Sequence, residues 1–156
     1  VVHSTPVYIP TPKADPAGCT FDANLSNPTS DRTSIFARPA AVAVSANDGF
    51  THIFNASSTS STVGQELVAY LPASIFPNLP NLASTTYSHQ FFNDGSPVYK
   101  DVCFLYGSTG SLLSNPEARS VVVGTTGAGG TSVYALDVTH VDNMSSSNVL
   151  WEFSAK

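Results

Sequence analysis

The sequence is short of charge. Only 11% of its 156 residues are Asp, Glu, Lys or Arg, whereas about 25% is usual in soluble domains. Six basic residues are scattered among 11 acidic ones, and the formal net charge is −5. Because binding to nucleic acid or to an anionic membrane surface requires clustered basic side chains, neither partner is expected.

Long apolar runs are also missing. No stretch approaches the roughly 18 apolar residues that span a bilayer, so membrane insertion by this segment is not expected. The opening residues, VVHSTPVYIP, lack the charged and apolar regions of a signal peptide. We therefore expect any export signal to lie outside this sequence.

Cysteine occurs only twice, as Cys19 and Cys103. In an oxidising compartment the two would form one disulfide. The alternative is a pair of separate thiols, buried or reduced.

The sequence does contain short segments of β type. Stretches rich in Val, Tyr and Phe alternate with clusters of Gly, Pro, Asn and Ser, and no segment keeps a 3.6-residue apolar period. The pattern predicts a nearly all-β chain. The predicted strands are residues 2–9, 40–46, 50–56, 66–71, 97–106, 120–125, 132–138 and 149–154.

These strands fall into two sets of four that match each other in order. The matched pairs are HSTPVYI (3–9) with DGSPVYK (94–100), AAVAVSANDG (40–49) with SVVVGTTGAGG (120–130), THIFNA (51–56) with VYALDV (133–138), and ELVAY (66–70) with VLWEF (149–153). A four-stranded antiparallel meander that repeats along a chain is typical of the blades of a β-propeller.

We therefore predict one partial propeller domain over residues 1–156. It consists of a first blade at residues 1–72, a linker at residues 73–95 and a second blade at residues 96–156. Two blades cannot close a ring, so we expect a fragment of a larger propeller with an exposed apolar flank that favours self-association.

Two long stretches interrupt the strands. Residues 10–37 are polar and contain several prolines, which predicts a loop within the first blade. In the linker, residues 73–76 are predicted to form one helical turn that Pro77 ends. Since Cys19 lies in the loop and Cys103 on the second blade, a disulfide would attach the loop to that blade.

The linker and the second blade resemble a known family. The similarity is carried by LVAYLPASIFPNLPNLASTTYSHQFFNDGSPVYKDV at residues 67–102, by RSVVVGTTGAGGTSVYALDVT at residues 119–139 and by LWEF at residues 150–153. In this order they resemble the propeller of the PilY/PilC family of type IV pilus tip-associated adhesins. SANDGFTHIFNA at residues 45–56 is similar to the family's first-blade hairpin.

The resemblance implies an extracellular or cell-surface protein at or near the pilus tip. It implies a role in pilus extension and retraction, with pilus tip components (minor pilins) as partners, and adhesion to a host or abiotic surface receptor. Some family members bind calcium through an Asp-rich loop. Neither residues 47–49 nor residues 93–95, both Asn-Asp-Gly, supply such alternating carboxylates. No cofactor or metal ligand is predicted in this segment, and calcium is expected, if at all, elsewhere in the full-length protein.

Binding is predicted at the irregular loops, because a rigid propeller leaves its connections free to contact partners. The candidate residues are Asp22 and Asn24 in the first loop and Tyr87 and His89 in the linker. The four histidines are far apart in sequence, with no pair at metal-ligand spacing on one element. Roles in packing are therefore predicted for them.

Catalysis is not expected. The sequence has no Gly-x-Ser-x-Gly elbow of a serine hydrolase. Glu66 and Glu152 occupy equivalent positions of the two units and are predicted to face solvent, not to act as paired catalytic carboxylates.

The alternative function is that of a quinone-dependent dehydrogenase. The strings VYALDV and LWEF also resemble the propeller repeat of that enzyme class. Such repeats specify a blade and not an activity. The period-two spacing of Tyr134, Leu136, Trp151 and Phe153 predicts that they share one buried face and do not form a ligand platform.

Overall fold

The computed structural model describes residues 1–21, 28–106 and 110–155 of the chain. Its strands are β1 (Val7–Ile9), β2 (Thr20–Phe21), β3 (Ala41–Ser45), β4 (Thr51–Asn55), β5 (Glu66–Tyr70), β6 (Val98–Tyr106), β7 (Leu112–Thr125), β8 (Ser132–Asp137) and β9 (Val149–Ser154). Between the described strands lie the α-helix α1 (Pro28–Ala37) and short 3-10 helices at Phe76–Ala83, Gly127–Gly129 and Ser146–Asn148.

The first sheet is a four-stranded antiparallel meander in the order β1-β3-β4-β5. Every second residue of β3 and of β4 is buried, as expected for strands with one face on a core. The turn between these strands contains Gly49, whose φ of +102° disfavours any residue with a Cβ atom.

The second sheet repeats the meander as β6-β7-β8-β9. The predicted all-β fold, with two four-stranded antiparallel propeller blades, is thus confirmed. Strand β7 is 14 residues long, and its first half forms a two-stranded hairpin with the end of β6. Beside this hairpin β2 pairs in parallel with β7, Thr20 opposite Glu117, a pairing that the sequence did not predict.

The main hydrophobic core lies between the two blades. Its members, each at most 1% exposed, are Ile9, Ala41, Ala43, Ile53, Val122, Tyr134, Leu136, Val138 and Val141. Burial of each large apolar side chain contributes about 1.5–3 kcal/mol. Because both sheets supply residues to the same cluster, the blades pack as one unit.

Residues 10–37 connect the first two strands of blade one, but they are not a loop throughout. The helix α1 covers Pro28–Ala37, so the prediction of a continuous loop was wrong. The helix was missed because its only large apolar residues, Ile35 and Phe36, are too few to produce a helical apolar period.

A second, small hydrophobic core attaches this insertion to blade two. Cys19, Phe21 and Ile35 pack against Ala118 of β7. The structure also joins Cys19 to Cys103 of β6 by a disulfide, with their Cα atoms 5.8 Å apart. It therefore contains the disulfide and not the alternative of two separate thiols.

Arg38, directly after α1, ties the insertion to both blades. It is 2% exposed. Its guanidinium donates hydrogen bonds to Pro10 O (2.9 Å), Val138 O (2.6 Å) and Ser120 Oγ (3.1 Å). Burial lowers the pKa of this guanidinium. A single buried side chain thus joins the end of β1 to two segments of blade two.

The linker between the blades contains more helix than expected. The 3-10 helix runs over Phe76–Ala83, through Pro77 and Pro80, so the predicted single turn ending at Pro77 was wrong. Pro77 is tolerated because it stands at the first positions of the helix, where its missing N–H would have no partner, whereas Pro80 lies inside the helix.

The outer face of blade two is apolar and exposed. Trp151 is 37% and Phe153 is 64% exposed, so the prediction that they share a buried face with Tyr134 was wrong. The register of β9 places Trp151 opposite Ala135 and Glu152 opposite Tyr134. Since paired residues share a face, Glu152 points towards blade one and both rings point away.

Candidate binding surface on the interblade linker

Residues 81–91 of the linker are all exposed, and we name them the linker surface. They begin within the last turn of the 3-10 helix and end where the chain enters blade two. An exposed segment of this length needs anchors at its ends to keep one conformation.

Asn47, in the β3–β4 turn, anchors the end of the linker surface. Its Nδ2 donates a hydrogen bond to Gln90 O (2.7 Å), and its Oδ1 accepts one from Phe92 N (3.0 Å). Asn47 is 7% exposed, so water competes little for these bonds. The side chain pairs with the linker backbone as a neighbouring strand would, which fixes the path of residues 90–92.

The hairpin between β7 and β8 supports the linker just beyond this anchor. A Cβ atom at Gly129 would lie 1.8 Å from Phe92 O, so only glycine permits the approach. Asp94 N donates a hydrogen bond to Thr126 O (3.1 Å) on the same hairpin. The Gly-rich turn at residues 127–130 therefore joins β7 to β8 and also supports the linker.

A polar cleft of about 210 Å³ opens in the linker surface, and we name it the linker cleft. Its lining residues, none of them charged, are Asn81, Ser84, Thr86, Tyr87, Ser88 and Gln90. Asn81 Nδ2 donates a hydrogen bond to Gln90 Oε1 (3.3 Å), and Gln90 N donates one to Tyr87 OH (3.2 Å). These bonds hold the lining side chains in place across the cleft.

Three aromatic rings form a cluster at the end of the linker surface. The ring of His89 lies 5.0 Å from that of Phe91 and 5.9 Å from that of His3, with Phe91 and His3 5.5 Å apart, all edge to face. His3 Nδ1 is 3.1 Å from Asp94 Oδ1. The Asp94 carboxylate therefore lies beside the ring cluster.

Two of the four predicted binding residues lie on this surface. Tyr87 lines the linker cleft, and His89 belongs to the ring cluster. Asp22 and Asn24 lie outside the residues that the structure describes.

The sequence did not point to Asn47 or His3 as parts of this surface. Asn47 belongs to an Asn-Asp-Gly turn sequence, which by itself accounts for an asparagine at this position. The sequence therefore gives no sign of its hydrogen bonds to a segment more than 40 positions away. His3 meets His89 only after the two blades have packed. No short-range pattern signals either contact.

A separate ionic cluster lies on the outer face of blade one. His52 Nε2 is 2.9 Å from Asp48 Oδ2, and His52 Nδ1 pairs with Glu66. Burial by itself lowers the pKa of His52, but the hydrogen bonds to Glu66 and Asp48 outweigh it and raise the pKa. Glu66 is exposed, as predicted.

Glu152, in contrast, does not face solvent as predicted. Its Oε2 accepts hydrogen bonds from Tyr70 OH (2.5 Å) and from Ala73 N (3.1 Å). Burial, together with this carboxylate, raises the pKa of Tyr70. Glu152 therefore connects blade two to the start of the linker.

Residues 1–21, 28–106 and 110–155 contain neither a metal-binding cluster nor a membrane-spanning helix. In these ranges no three His, Cys, Asp or Glu side chains are grouped so as to hold a metal ion. None of the helices described there is long and apolar enough to cross a membrane.

Two antiparallel meanders that share a core, with an ordered linker between them, define this chain as a segment of a β-propeller. The family described as the PilY1 beta-propeller domain matches residues 16–156. The chain belongs to this family.

Individual relatives agree with this membership. A type IV pilus biogenesis factor PilY1 homolog of Xylella fastidiosa (strain Temecula1) is 40% identical over 113 residues, which are 72% of this chain and 7% of that protein. The type IV pilus biogenesis factor PilY1 of Pseudomonas aeruginosa (strain UCBPP-PA14) is 32% identical over 163 residues, which cover 99% of this chain and 12% of that protein. This chain therefore spans only a small part of either relative.

A solved structure shows the same fold. The crystal structure of the Pseudomonas aeruginosa PilY1 C-terminal domain superposes with a TM-score of 0.51 at 29% identity. The superposition covers 87% of this chain and 24% of the solved one.

Proposed function

We propose that this chain is a non-enzymatic scaffold and adhesion module of a type IV pilus-associated protein. The scaffold part of the proposal is supported by relatives that are named type IV pilus biogenesis factors. The adhesion part is carried by one observation: the linker surface is fully exposed, yet it is anchored by Asn47 and contains an ordered polar cleft.

The proposed partners differ between the two parts. The blades would contact pilus tip components (minor pilins), and the linker surface would contact a host or abiotic surface receptor. Both contacts require an extracellular location, at the pilus tip or on the cell surface. The disulfide between Cys19 and Cys103 suits such an oxidising environment.

The experiment replaces Tyr87 and His89 by alanine in the full-length protein and measures pilus number and surface attachment separately. We expect pilus number to stay unchanged and attachment to fall several-fold, because both side chains are exposed and neither belongs to the core between the blades. Ser58→Ala with Thr59→Ala, on the exposed β4–β5 connection, is the matched control and should change neither.

A second arm of the same experiment replaces Asp22 and Asn24 by alanine. Unchanged attachment in both arms, with normal pilus number, would remove the adhesion part of the proposal. Deletion of the propeller that leaves pilus number unchanged would remove the scaffold part.

The non-enzymatic part has its own test. The purified full-length protein is examined for a quinone absorption band and for alcohol-dependent reduction of a dye. We expect neither signal. A positive result would replace the proposal with the quinone-dependent dehydrogenase.

A further inference from the structure

We propose that the linker cleft is a binding site for one ring of a neutral carbohydrate. The inference rests on the proposed adhesion function and names the ligand class of that surface. Four properties of the cleft lead to it: charge, hydrogen-bonding capacity, size and neighbouring rings.

The charge of the cleft selects a neutral ligand. Its lining consists of amide, hydroxyl and phenol side chains, without a carboxylate, ammonium or guanidinium group. A sulfated or carboxylated ligand would lose hydration on entering and would find no opposite charge to compensate. A hydroxyl group loses less free energy on desolvation than a charged group, and the amide and hydroxyl groups of the lining can replace its hydrogen bonds to water.

The hydrogen-bonding capacity of the cleft suits vicinal hydroxyls. Tyr87 OH accepts a hydrogen bond from Gln90 N and keeps its own proton to donate. Asn81 uses its amide nitrogen, and Gln90 its amide oxygen, in the bond that joins them. The opposite amide atoms, one acceptor and one donor group, remain for a ligand. A sugar hydroxyl both donates and accepts, so it satisfies this mixed set.

The size and order of the cleft limit the ligand to a single ring. Its volume of about 210 Å³ is smaller than the roughly 300–1,000 Å³ of pockets for drug-sized ligands. The Asn47 anchor and the two prolines of the 3-10 helix order the cleft before binding. Such preorganisation lowers the entropy cost of capturing a small polar ligand. The same Tyr, Ser and Asn side chains dominate antibody binding loops, where they supply rigid contact area and adaptable hydrogen bonds.

The ring of Tyr87, which lines the cleft, supplies the apolar part of the site. Tyr87 is 40% exposed, and Phe91, at the end of the linker surface, is 43% exposed. The face of an aromatic ring is electronegative and attracts the slightly positive C–H groups on the flat side of a sugar ring. The surface thus offers both kinds of contact that a neutral sugar makes.

The test uses the full-length protein and the methyl glycosides of galactose, mannose and N-acetylglucosamine as probes. Saturation-transfer NMR detects binding at millimolar affinity, the range expected for about one sugar ring. We expect transfer to at least one glycoside, and at least about a fivefold reduction of it in Tyr87→Ala/Gln90→Ala, which removes the ring and the free amide.

The matched control is Ser58→Ala/Gln65→Ala, two exposed polar residues outside the cleft, and it should retain transfer. If the cleft variant unfolds, Ser88→Ala, which removes only an exposed hydroxyl, should give a smaller reduction in a folded protein. Thermal unfolding of each variant establishes that it is folded.

Three results would overturn the inference: no transfer to any of the glycosides, equal transfer in the cleft variant, or stronger transfer to a sulfated galactoside than to the neutral one. Its failure is distinguishable from that of the proposed adhesion function. If Tyr87→Ala/His89→Ala loses attachment but the unchanged protein binds no glycoside, the carbohydrate inference fails and the adhesion proposal stands. If the unchanged protein binds a glycoside but the variant attaches normally, the adhesion proposal fails and the carbohydrate inference stands.

Discussion

Asn47 performs with one side chain what strand pairing does elsewhere in the blades. Replacing it by alanine leaves Phe92 N without its partner in a buried position. We expect Asn47→Ala to lower the free energy of unfolding by about 2–3 kcal/mol, measured by chemical denaturation. Asn78→Ala, an exposed position of the 3-10 helix, should change it by less than about 0.5 kcal/mol. Equal effects would mean that other contacts hold the linker.

The buried Arg38 makes hydrogen bonds that require a guanidinium and that an ammonium group cannot replace. Lysine at this position keeps the charge, but it lacks the planar guanidinium that bonds Pro10 O, Val138 O and Ser120 Oγ at the same time. We expect Arg38→Lys to reduce the free energy of unfolding by about 2–3 kcal/mol. Arg32, whose side chain is 42% exposed and pairs with Asp15, is the control, and Arg32→Lys should cost less than about 1 kcal/mol.

His52 gives the fold a pH dependence. Its pKa in the folded state is raised above the value of about 6.5 in the unfolded chain. Its contribution to stability is therefore fully present below about pH 6.5 and is lost as the pH rises through the folded pKa. We expect the stability of the unchanged protein, relative to His52→Gln, to decline as the pH rises above about 6.5. Thermal unfolding at a series of pH values measures this, and parallel curves for the two proteins would contradict it.

The disulfide is one of the contacts that attach the insertion with α1 to blade two. Cys19 and Cys103 are 84 residues apart, and closing a loop of that size is worth roughly 4 kcal/mol in the chain-entropy model. We expect Cys19→Ser/Cys103→Ser to lose up to about this amount and to become sensitive to proteolysis within residues 10–37. Denaturation with and without a reducing agent measures the effect. A loss below about 1 kcal/mol would show that the small core with Phe21 and Ile35 suffices.

Elements whose structure is determined by neighbouring residues in the sequence could be predicted, and elements determined by contacts with distant residues could not. Strands β3 and β4 followed from the sequence because their faces differ in burial and the residues alternate accordingly. The first half of β7 did not, because Asn115-Pro116 is typical of a turn. It lies within a strand here because the flanking residues Leu112 and Glu117 pair with β6. The side chains of β9 were assigned to the wrong face because the register with β8 pairs Trp151 with Ala135, and no pattern within either strand indicates that register.

In the candidate site, too, only the residues with a signal in their own segment of the sequence were predicted. Tyr87 and His89 were found from the exposed character of the linker and from a family resemblance. Asn47 and His3 were not, because they reach the linker surface from blade one through contacts that only the packed blades create.

The whole molecule has an open apolar face on blade two, where Val98, Trp151 and Phe153 are 61%, 37% and 64% exposed. We expect the 156-residue chain alone to self-associate through this face, because exposed apolar patches are buried by association. Sedimentation velocity should show a concentration-dependent increase in mass that Trp151→Lys/Phe153→Lys reduces. Val63→Lys, on an exposed connection of blade one, is the control. A monomer at all concentrations would contradict the prediction.

The bond between Cys19 and Cys103 also determines how the molecule responds to pulling. Tension applied between the ends of the chain passes directly from residue 19 to residue 103, because the covalent bond bypasses the backbone between them, a sequence separation of 84. Strands β3 to β5 and the linker surface lie within this bypassed segment. At about 3.4 Å per extended residue, the bond withholds roughly 280 Å of contour length. Under load, the linker cleft therefore lies in a segment that tension does not extend, while the segments outside the covalent loop bear the force.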